Sequence, residues 1–239
     1  TVHSFQRPDA DHVEVDPLAR ALSGHSGSIN FGKIAGQRTR GNFIVGYKSP
    51  GFDTNDLGFM QRADQISQNG WVQIRWDQPG RFTPNIRLNV NQWSAFNFGG
   101  DRLNLGVNVN AHWQFQNQWS AGFGANVNAR RFDDRFTRGG AGGRTTGNLN
   151  SWQYLNTDDR RAVSFSWNSD FGNDREGSRW FGVEPGIVLR PSSALSAQFG
   201  VAYNNSINDS QWVRALAGPD RTHYIFGRLS QVTTSLTLR

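Results

Sequence analysis

Three groups of residues have types and spacings that could do chemistry. The first lies in SPGFDTNDLGFMQRAD, Ser49 to Asp64. Asp53, Asn55, Gly58 and Asp64 fall at positions 1, 3, 6 and 12 of the loop in which helix–loop–helix proteins ring a calcium ion with oxygens. Position 5 is Leu57, however, and the twelfth holds a short aspartate where a bidentate glutamate belongs. Asx turns by Asp53, Asn55 and Asp56, with Pro50, Gly51 and Gly58 setting the chain direction, account for the same residues without a metal. The second group, Asp133-Asp134 with Glu176, has the carboxylates of a glycosidase. Such pairs need a fixed separation and one carboxyl held protonated. Flanked by Arg130, Arg131 and Arg135, they read instead as an ion-pair cluster in a loop. The third, Gly139-Gly140-Ala141-Gly142-Gly143, has the glycine content of a phosphate loop, but no Lys-Ser/Thr follows and no helix pattern opens after it.

The remaining candidates are sparser. Five histidines (His3, His12, His25, His112 and His223) show no ligand spacing, and Asp158-Asp159-Arg160-Arg161 reads as two solvated ion pairs in a short turn. Without cysteine the chain has no thiol nucleophile, disulfide or thiolate metal site. The formal charge is +6, from 25 Lys and Arg against 19 Asp and Glu, but the arginines are scattered along the chain. That argues against a nucleic-acid partner, which needs basic residues gathered on one face. The sequence thus implies no catalytic set and no cofactor.

The elements that must position these residues are strands. In Leu103–Gln116, LNLGVNVNAHWQFQ, apolar residues hold every odd position from Leu103 to Phe115. Asn104, Gly106, Asn108, Asn110, His112, Gln114 and Gln116 hold the even ones. Such alternation is the signature of a strand. After Gln116-Asn117-Gln118 it resumes with Trp119, Ala121, Phe123, Ala125, Val127 and Ala129 opposite Ser120, Gly122, Gly124, Asn126, Asn128 and Arg130, which predicts a hairpin. Phe181–Leu189 and Leu195–Tyr203 predict a second hairpin, turning at Pro191-Ser192-Ser193. Further strands are expected over 27–34, 41–48, 71–77, 85–98, 152–157, 162–170, 211–217 and 224–238, roughly twelve in all.

Composition points the same way. The chain has 239 residues, 27 Gly, 22 Asn, nine Trp and 17 Phe, but two Lys and three Glu. Residues that build exposed helix faces are scarce, and residues that build strands and turns are abundant. Many of the strands would run to ten residues or more, against about 5–6 in ordinary sheets. Their non-apolar side is Asn, Gln, Gly, Ser and Arg, where a soluble sandwich would present Lys, Glu and Thr. The predicted fold is therefore all-β: an antiparallel up-and-down transmembrane barrel, or a roughly twelve-stranded segment of a larger one, over residues 1–239 as one domain. The apolar side would meet lipid and the polar side would line the lumen. Trp71, Trp76, Trp113, Trp119, Trp152, Trp180 and Trp212, near predicted strand ends, would form girdles at the membrane boundary. Gln116–Gln118 and Pro191–Ser193 would be periplasmic turns; 49–70, 132–150, 171–178 and 204–210 would be extracellular loops.

Those loops carry a resemblance. PGF-x-x-NDLGF at Pro50–Phe59, DDRFTRGG at Asp133–Gly140 and the ending YIFGRLSQVTTSLTLR, in that order, resemble the C-terminal region of the bacterial family of domain of unknown function 5916. The resemblance covers essentially the whole chain. It implies an envelope protein in which an N-terminal β-sandwich similar to family 9 carbohydrate-binding modules precedes a large outer-membrane barrel. It carries over no catalytic residue.

The expected function is that of a non-enzymatic barrel in the bacterial outer membrane, in contact with lipid, binding or passing polar solutes such as glycans. Asn104, Asn108, Asn110, His112, Gln114, Asn126, Asn128 and Arg130 are its lumen candidates; Asp53, Asn55 and Asp64 are a weaker calcium candidate. The carbohydrate element comes from the resemblance alone. Two alternatives stand beside it: an anchoring or assembly component that transports nothing, and a soluble β-rich enzyme acting on polysaccharide. TVHSFQRPDADH has neither the basic start nor the apolar core of a signal peptide, and a complete barrel usually closes on a strand with a terminal aromatic. The expectation is a segment whose barrel is completed by other protein segments.

Overall fold

A computed structural model describes residues 9–13, 18, 20–55, 58–78, 80–81 and 83–239. Alternation in the sequence becomes one long meander. The strands are β1 (Ser26–Lys33), β2 (Thr39–Lys48), β3 (Gln65–Trp76), β4 (Asn85–Phe96), β5 (Arg102–Gln114), β6 (Ser120–Asn128), β7 (Arg131–Asp133), β8 (Gly143–Thr145), β9 (Asn148–Asn156), β10 (Val163–Asp174), β11 (Arg179–Ser192), β12 (Leu195–Ala217) and β13 (Thr222–Leu238). Eleven of them form a single antiparallel sheet in chain order, while β7 and β8 pair separately within the link between β6 and β9. Among the described residues there is no helix, so none is long and apolar enough to cross a membrane; crossing by strands is a separate matter. No pairing joins β1 to β13 among the described residues.

Both predicted hairpins are present, as β5–β6 and β11–β12. The corrections concern strand ends. Residues 65–70, expected as loop, begin β3. The outward side chain of Gln68 there finds a polar partner in Gln92 of β4 at 2.7 Å, so its amide needs no water and the strand continues. Residues 148–150 belong to β9, and 171–174 extend β10, with Phe171, Gly172 and Asn173 pairing to Phe181, Trp180 and Arg179 and Asp174 to Asn148. Residues 204–210 are not a loop either. β12 runs through them as a 23-residue strand, irregular in register between Asn208 and Arg214.

The two sheet faces differ sharply. Residues that pair directly across strands share a face, and one row crosses the entire sheet: Gly32, Asn42, Trp71, Asn91, Asn108, Asn126, Asn150, Gly172, Trp180, Ser206, Gln231. It contains no aliphatic residue and no charge. On the opposite face a second row reads Trp76, Ile86, Trp113, Ala121, Leu155, Trp167, Pro185. Here the exposed face is the apolar one. Val109 is 48% exposed and Phe123 45%, whereas Asn89 and Asn108 are each 7% exposed.

The sheet also curls, with its polar face inward. Adjacent residues Arg135 and Phe136 in the β7–β8 loop reach Gln61, beside β3, and Phe226 of β13. Those strands are eight steps apart in the sheet order, roughly 38 Å along a flat sheet at about 4.8 Å per step.

Candidate functional site on the polar face

The polar face is built from amides that satisfy one another. Asn91 Nδ2 donates to Asn108 Oδ1 at 2.8 Å, Asn108 Nδ2 to Asn126 Oδ1 at 2.8 Å, and Asn126 Nδ2 to Asn150 Oδ1 at 2.5 Å. A parallel branch runs from Trp71 Nε1 and Gln73 Nε2 to Asn89 Oδ1 at 3.1 and 2.9 Å, then from Asn89 Nδ2 to Asn110 Oδ1 at 2.7 Å. His112 closes this branch, with Nε2 at 3.0 Å from Asn110 Oδ1 and Nδ1 at 2.9 Å from the Tyr154 hydroxyl. Nearest-neighbour strands place an Asn carboxamide opposite another, so each donor finds an acceptor without leaving the sheet. A buried amide left unpaired would cost about 1–3 kcal/mol.

Glycines make room for the large rings on this face. An added Cβ at Gly106 would lie 2.4 Å from the Trp93 ring, at Gly124 2.4 Å from Trp152, at Gly122 2.2 Å from Tyr154 and at Gly172 2.2 Å from Trp180. In each case the ring belongs to the residue paired directly across the ladder. Of the tryptophans expected in an outer girdle, Trp71, Trp152 and Trp180 lie instead on the polar face, where Trp93 joins them. Trp76, Trp113 and Trp167 are on the apolar one.

The lumen candidates therefore divide. Asn104, Asn108, Asn110, His112 and Gln114 of β5 share the polar face with Asn126 and Asn128 of β6. Asn128 donates to Asn148 Oδ1 at 2.8 Å. Arg130 lies beyond β6, its carbonyl accepting from Arg102 at 2.7 Å. Most of the asparagine hydrogen-bonding capacity here is already used.

Unused capacity sits a few strands away, where sequence patterning gave no signal. Trp152 and Tyr154 stack with ring planes 9° apart and centroids at 6.2 Å. They line a cleft of about 220 Å³ with Asn168, Asp170, Glu184 and Asn204. A Cβ at Gly182 would lie 2.4 Å from Asp170 Oδ1 and 2.8 Å from Asn204 Oδ1, so two acceptor oxygens converge over that glycine. Among the described residues these four polar side chains have no hydrogen-bond partner, and neither acid has an ion pair. The only cue in the sequence was two isolated acids at even positions of long strands.

One end of the trough carries a cap. Phe136 stacks on Phe226 with centroids 4.5 Å apart, and Arg138 lies over Trp212 at 4.7 Å. Arg62 pairs with Asp134, and Arg135 Nη2 donates to Gln61 O at 2.6 Å. Asp133 and Asp134 are thus used structurally; Asp133 Oδ1 accepts from the Arg135 amide at 2.9 Å.

The calcium candidates serve separate local roles. Asp53 Oδ1 accepts from the Asn55 amide at 2.9 Å and from its side chain at 2.7 Å, and Asn55 Oδ1 accepts from the Met60 amide at 2.7 Å. Asp64 faces His12 Nε2 at 2.8 Å and accepts from the Phe98 amide at 3.0 Å. Asp56 and Leu57 lie outside the described residues, among which no three His, Asp or Glu side chains group to hold a metal. At the opposite end of the strands, Asp158 is buried against Arg160 Nε at 2.8 Å and Arg161 Nε at 3.4 Å. It forms one carboxylate under two guanidiniums, not the two solvated pairs expected. The Arg160 side chain holds the Asp158 carboxyl down at about 2.

Fold and site define an all-β protein built on one inverted antiparallel meander, polar inside its curl and apolar outside. The chain belongs to the DUF5916 family: the model of that domain of unknown function matches residues 10–239. No curated protein and no solved structure matches it.

Proposed function

We propose that this chain is the transmembrane sheet of a bacterial outer-membrane β-barrel, without enzymatic activity, whose inward face binds or passes polar solutes such as glycans. The inversion of the faces carries the reading. Within the large sheet, from β2 to β11 and leaving aside the separate β7–β8 pair, every outward strand position lacks Asp, Glu, Lys and Arg, apart from Arg179 at the tip of β11. A surface of exposed Val, Phe, Ile and Trp this wide suits hydrocarbon, where a charge near the midplane costs about 2–4 kcal/mol. It does not suit water. Paired amides facing inward suit a lumen, and ladder pairing satisfies the backbone as lipid demands.

Glycans fit the free sector of the inward face. The Trp152 and Tyr154 rings offer apolar surface to sugar C–H groups, and Asp170, Glu184, Asn168 and Asn204 offer acceptors for hydroxyls. Cell fractionation tests the membrane reading. Recovery in the outer membrane with heat-modifiable electrophoretic migration supports it, and a detergent-free soluble protein overturns it.

The β7–β8 cap favours a second reading, in which the barrel is occluded and anchors a surface or periplasmic partner. Planar-bilayer conductance separates the two: steps from the intact protein favour a pore, and their absence favours an anchor.

A further inference from the structure

Arginines gather at the short-turn end of β2, β3 and β4. The Arg75 amide donates to Arg38 O at 2.8 Å, so Arg38 continues the ladder one residue before β2 begins. Arg75 is in turn paired directly with Arg87 of β4. Three arginines thus stand side by side, an arrangement that like charges make unfavourable. Arg40, two residues beyond Arg38, adds a fourth; its Nε donates to Gly36 O at 3.3 Å. Among the described residues Asp77 is the one carboxylate that meets them. It lies 2.6 Å from Arg75 Nη2 but 3.9 Å from Arg87 Nη2, too far for a hydrogen bond. Arg38 has the Trp76 ring beneath it at 5.4 Å and no carboxylate. Arg75 Nε and Arg87 Nε are buried without a hydrogen-bond partner. This surplus of positive charge borders a cleft of about 940 Å³, whose lining includes Ile34, Arg38, Arg40, Arg75, Trp76 and Asp77.

We infer that this cleft binds a phosphate group, which supplies the negative charge that Asp77 alone does not. A phosphate monoester carries about −1.5 to −2 at neutral pH and presents three acceptor oxygens. Guanidinium forks match such oxygens two at a time, and several forks around one phosphate relieve the repulsion among them. A neutral sugar would leave that repulsion in place. The phosphate can arrive on a lipid headgroup or on a soluble phosphate ester. Ile34, 82% exposed, and Trp76, 37% exposed, give the cleft an apolar flank along which an acyl chain would lie. The lipid source rests on the membrane reading above; the phosphate contact does not. The site is distinct from the Trp152–Tyr154 cleft, which lies four strand steps from β3 in the sheet and carries the opposite charge, on Asp170 and Glu184.

Titration calorimetry on the full-length protein in non-ionic detergent tests this, with glucose 6-phosphate and short-chain phosphatidylglycerol as separate probes and glucose as the uncharged control. At least one phosphate probe should bind, with an affinity that falls as salt is added. Arg75→Gln combined with Arg87→Gln should weaken binding by about tenfold or more, the loss expected for hydrogen bonds to a charged group. That pair also strips Asp77 of its partners and can cost folding. Arg38→Gln combined with Arg40→Gln leaves Asp77 paired and should weaken binding to a similar degree, in protein shown to be folded by its unchanged unfolding midpoint. Arg144→Gln, in the β7–β8 cap at the opposite end, should leave binding unchanged. Tighter binding of phosphatidylglycerol assigns a lipid headgroup, and tighter binding of glucose 6-phosphate assigns a soluble ester. Binding of neither phosphate probe overturns the inference. So does binding of glucose as tight as that of its phosphate, or equal binding in wild type and the folded Arg38→Gln, Arg40→Gln protein. A protein that fractionates as soluble yet binds glucose 6-phosphate would sink the membrane reading and leave this inference standing.

Discussion

Trp152 lies flat over Gly124, the residue paired directly with it across β6 and β9, and a Cβ added at that glycine would lie 2.4 Å from the indole. Gly124 is thus a steric requirement of the polar face. Replacing it with Ala must push the ring off the sheet or open the ladder. Gly124→Ala should destabilise the protein by about 1–3 kcal/mol, the usual cost of overpacking. Gly200 is the control, because its nearest neighbours lie 3.8 Å away, in ordinary contact. Urea unfolding of detergent-solubilised protein, followed by tryptophan fluorescence, should show a lower midpoint for Gly124→Ala and an unchanged one for Gly200→Ala.

Asn108 is the central rung of the amide ladder. It donates to Asn126 Oδ1 and Ala125 O and accepts from Asn91 and Asn110. Asn108→Leu has a similar volume but strands its neighbours, and should cost about 1–3 kcal/mol for each buried group left unpaired. Asn168→Leu, on the same face but with no hydrogen-bond partner among the described residues, should leave the unfolding midpoint nearly unchanged. Equal losses in the two variants would contradict a self-satisfied ladder.

Much of this was legible in the sequence, and the reason is period. Alternation over Leu103–Gln116 and Trp119–Arg130 fixes strand, face and hairpin together, because a one-residue slip would exchange the faces. What alternation could not show is which aromatic faces which side of the sheet at a strand end. Trp71 and Trp152 look like girdle residues by position, yet their register places them inside. Residues 65–70 and 204–210 read as loop because each holds a single aliphatic residue, Ile66 and Ile207, too few to show alternation; Gln68 is satisfied by Gln92, a partner 24 positions away. The acids Asp170 and Glu184 are unremarkable singly. Only pairing of β10 with β11 brings Asp170 over Gly182 and Glu184 beside Asn168.

That acidic, aromatic sector is where solute binding should reside. Trp152→Ala and Asp170→Asn should each weaken binding of a neutral oligosaccharide by tenfold or more, since a hydrogen bond to a charged acceptor contributes about 1.5–3 kcal/mol. Asn126→Ala, within the paired ladder, should change affinity little. Titration calorimetry with neutral and uronic-acid oligosaccharides gives the readout, and preference for the acidic series would contradict two unpaired carboxylates at the site.

The Asp158 cluster should respond to acid in a defined direction. Its carboxyl is held down at about 2 by Arg160, so in the folded protein it stays ionised below the usual carboxylate range. The stability it contributes is complete above the unfolded carboxyl's pKa and is lost as pH falls towards 2. Arg160→Gln should move the Asp158 titration up towards the ordinary range, as read by carbon NMR of labelled aspartate. An Asp158 titration that does not move would show that Arg160 does not hold it.

The most direct test of the central claim is a nitroxide scan along β5 in the membrane, one label at a time from Asn104 to Gln114, reading collision with oxygen, which concentrates in lipid. High accessibility is predicted at Leu105, Val107, Val109, Ala111 and Trp113, and low accessibility at Asn104, Asn108, Asn110, His112 and Gln114, with a period of two. A reversed phase, or no difference between the two sets, would contradict an outward apolar face in lipid.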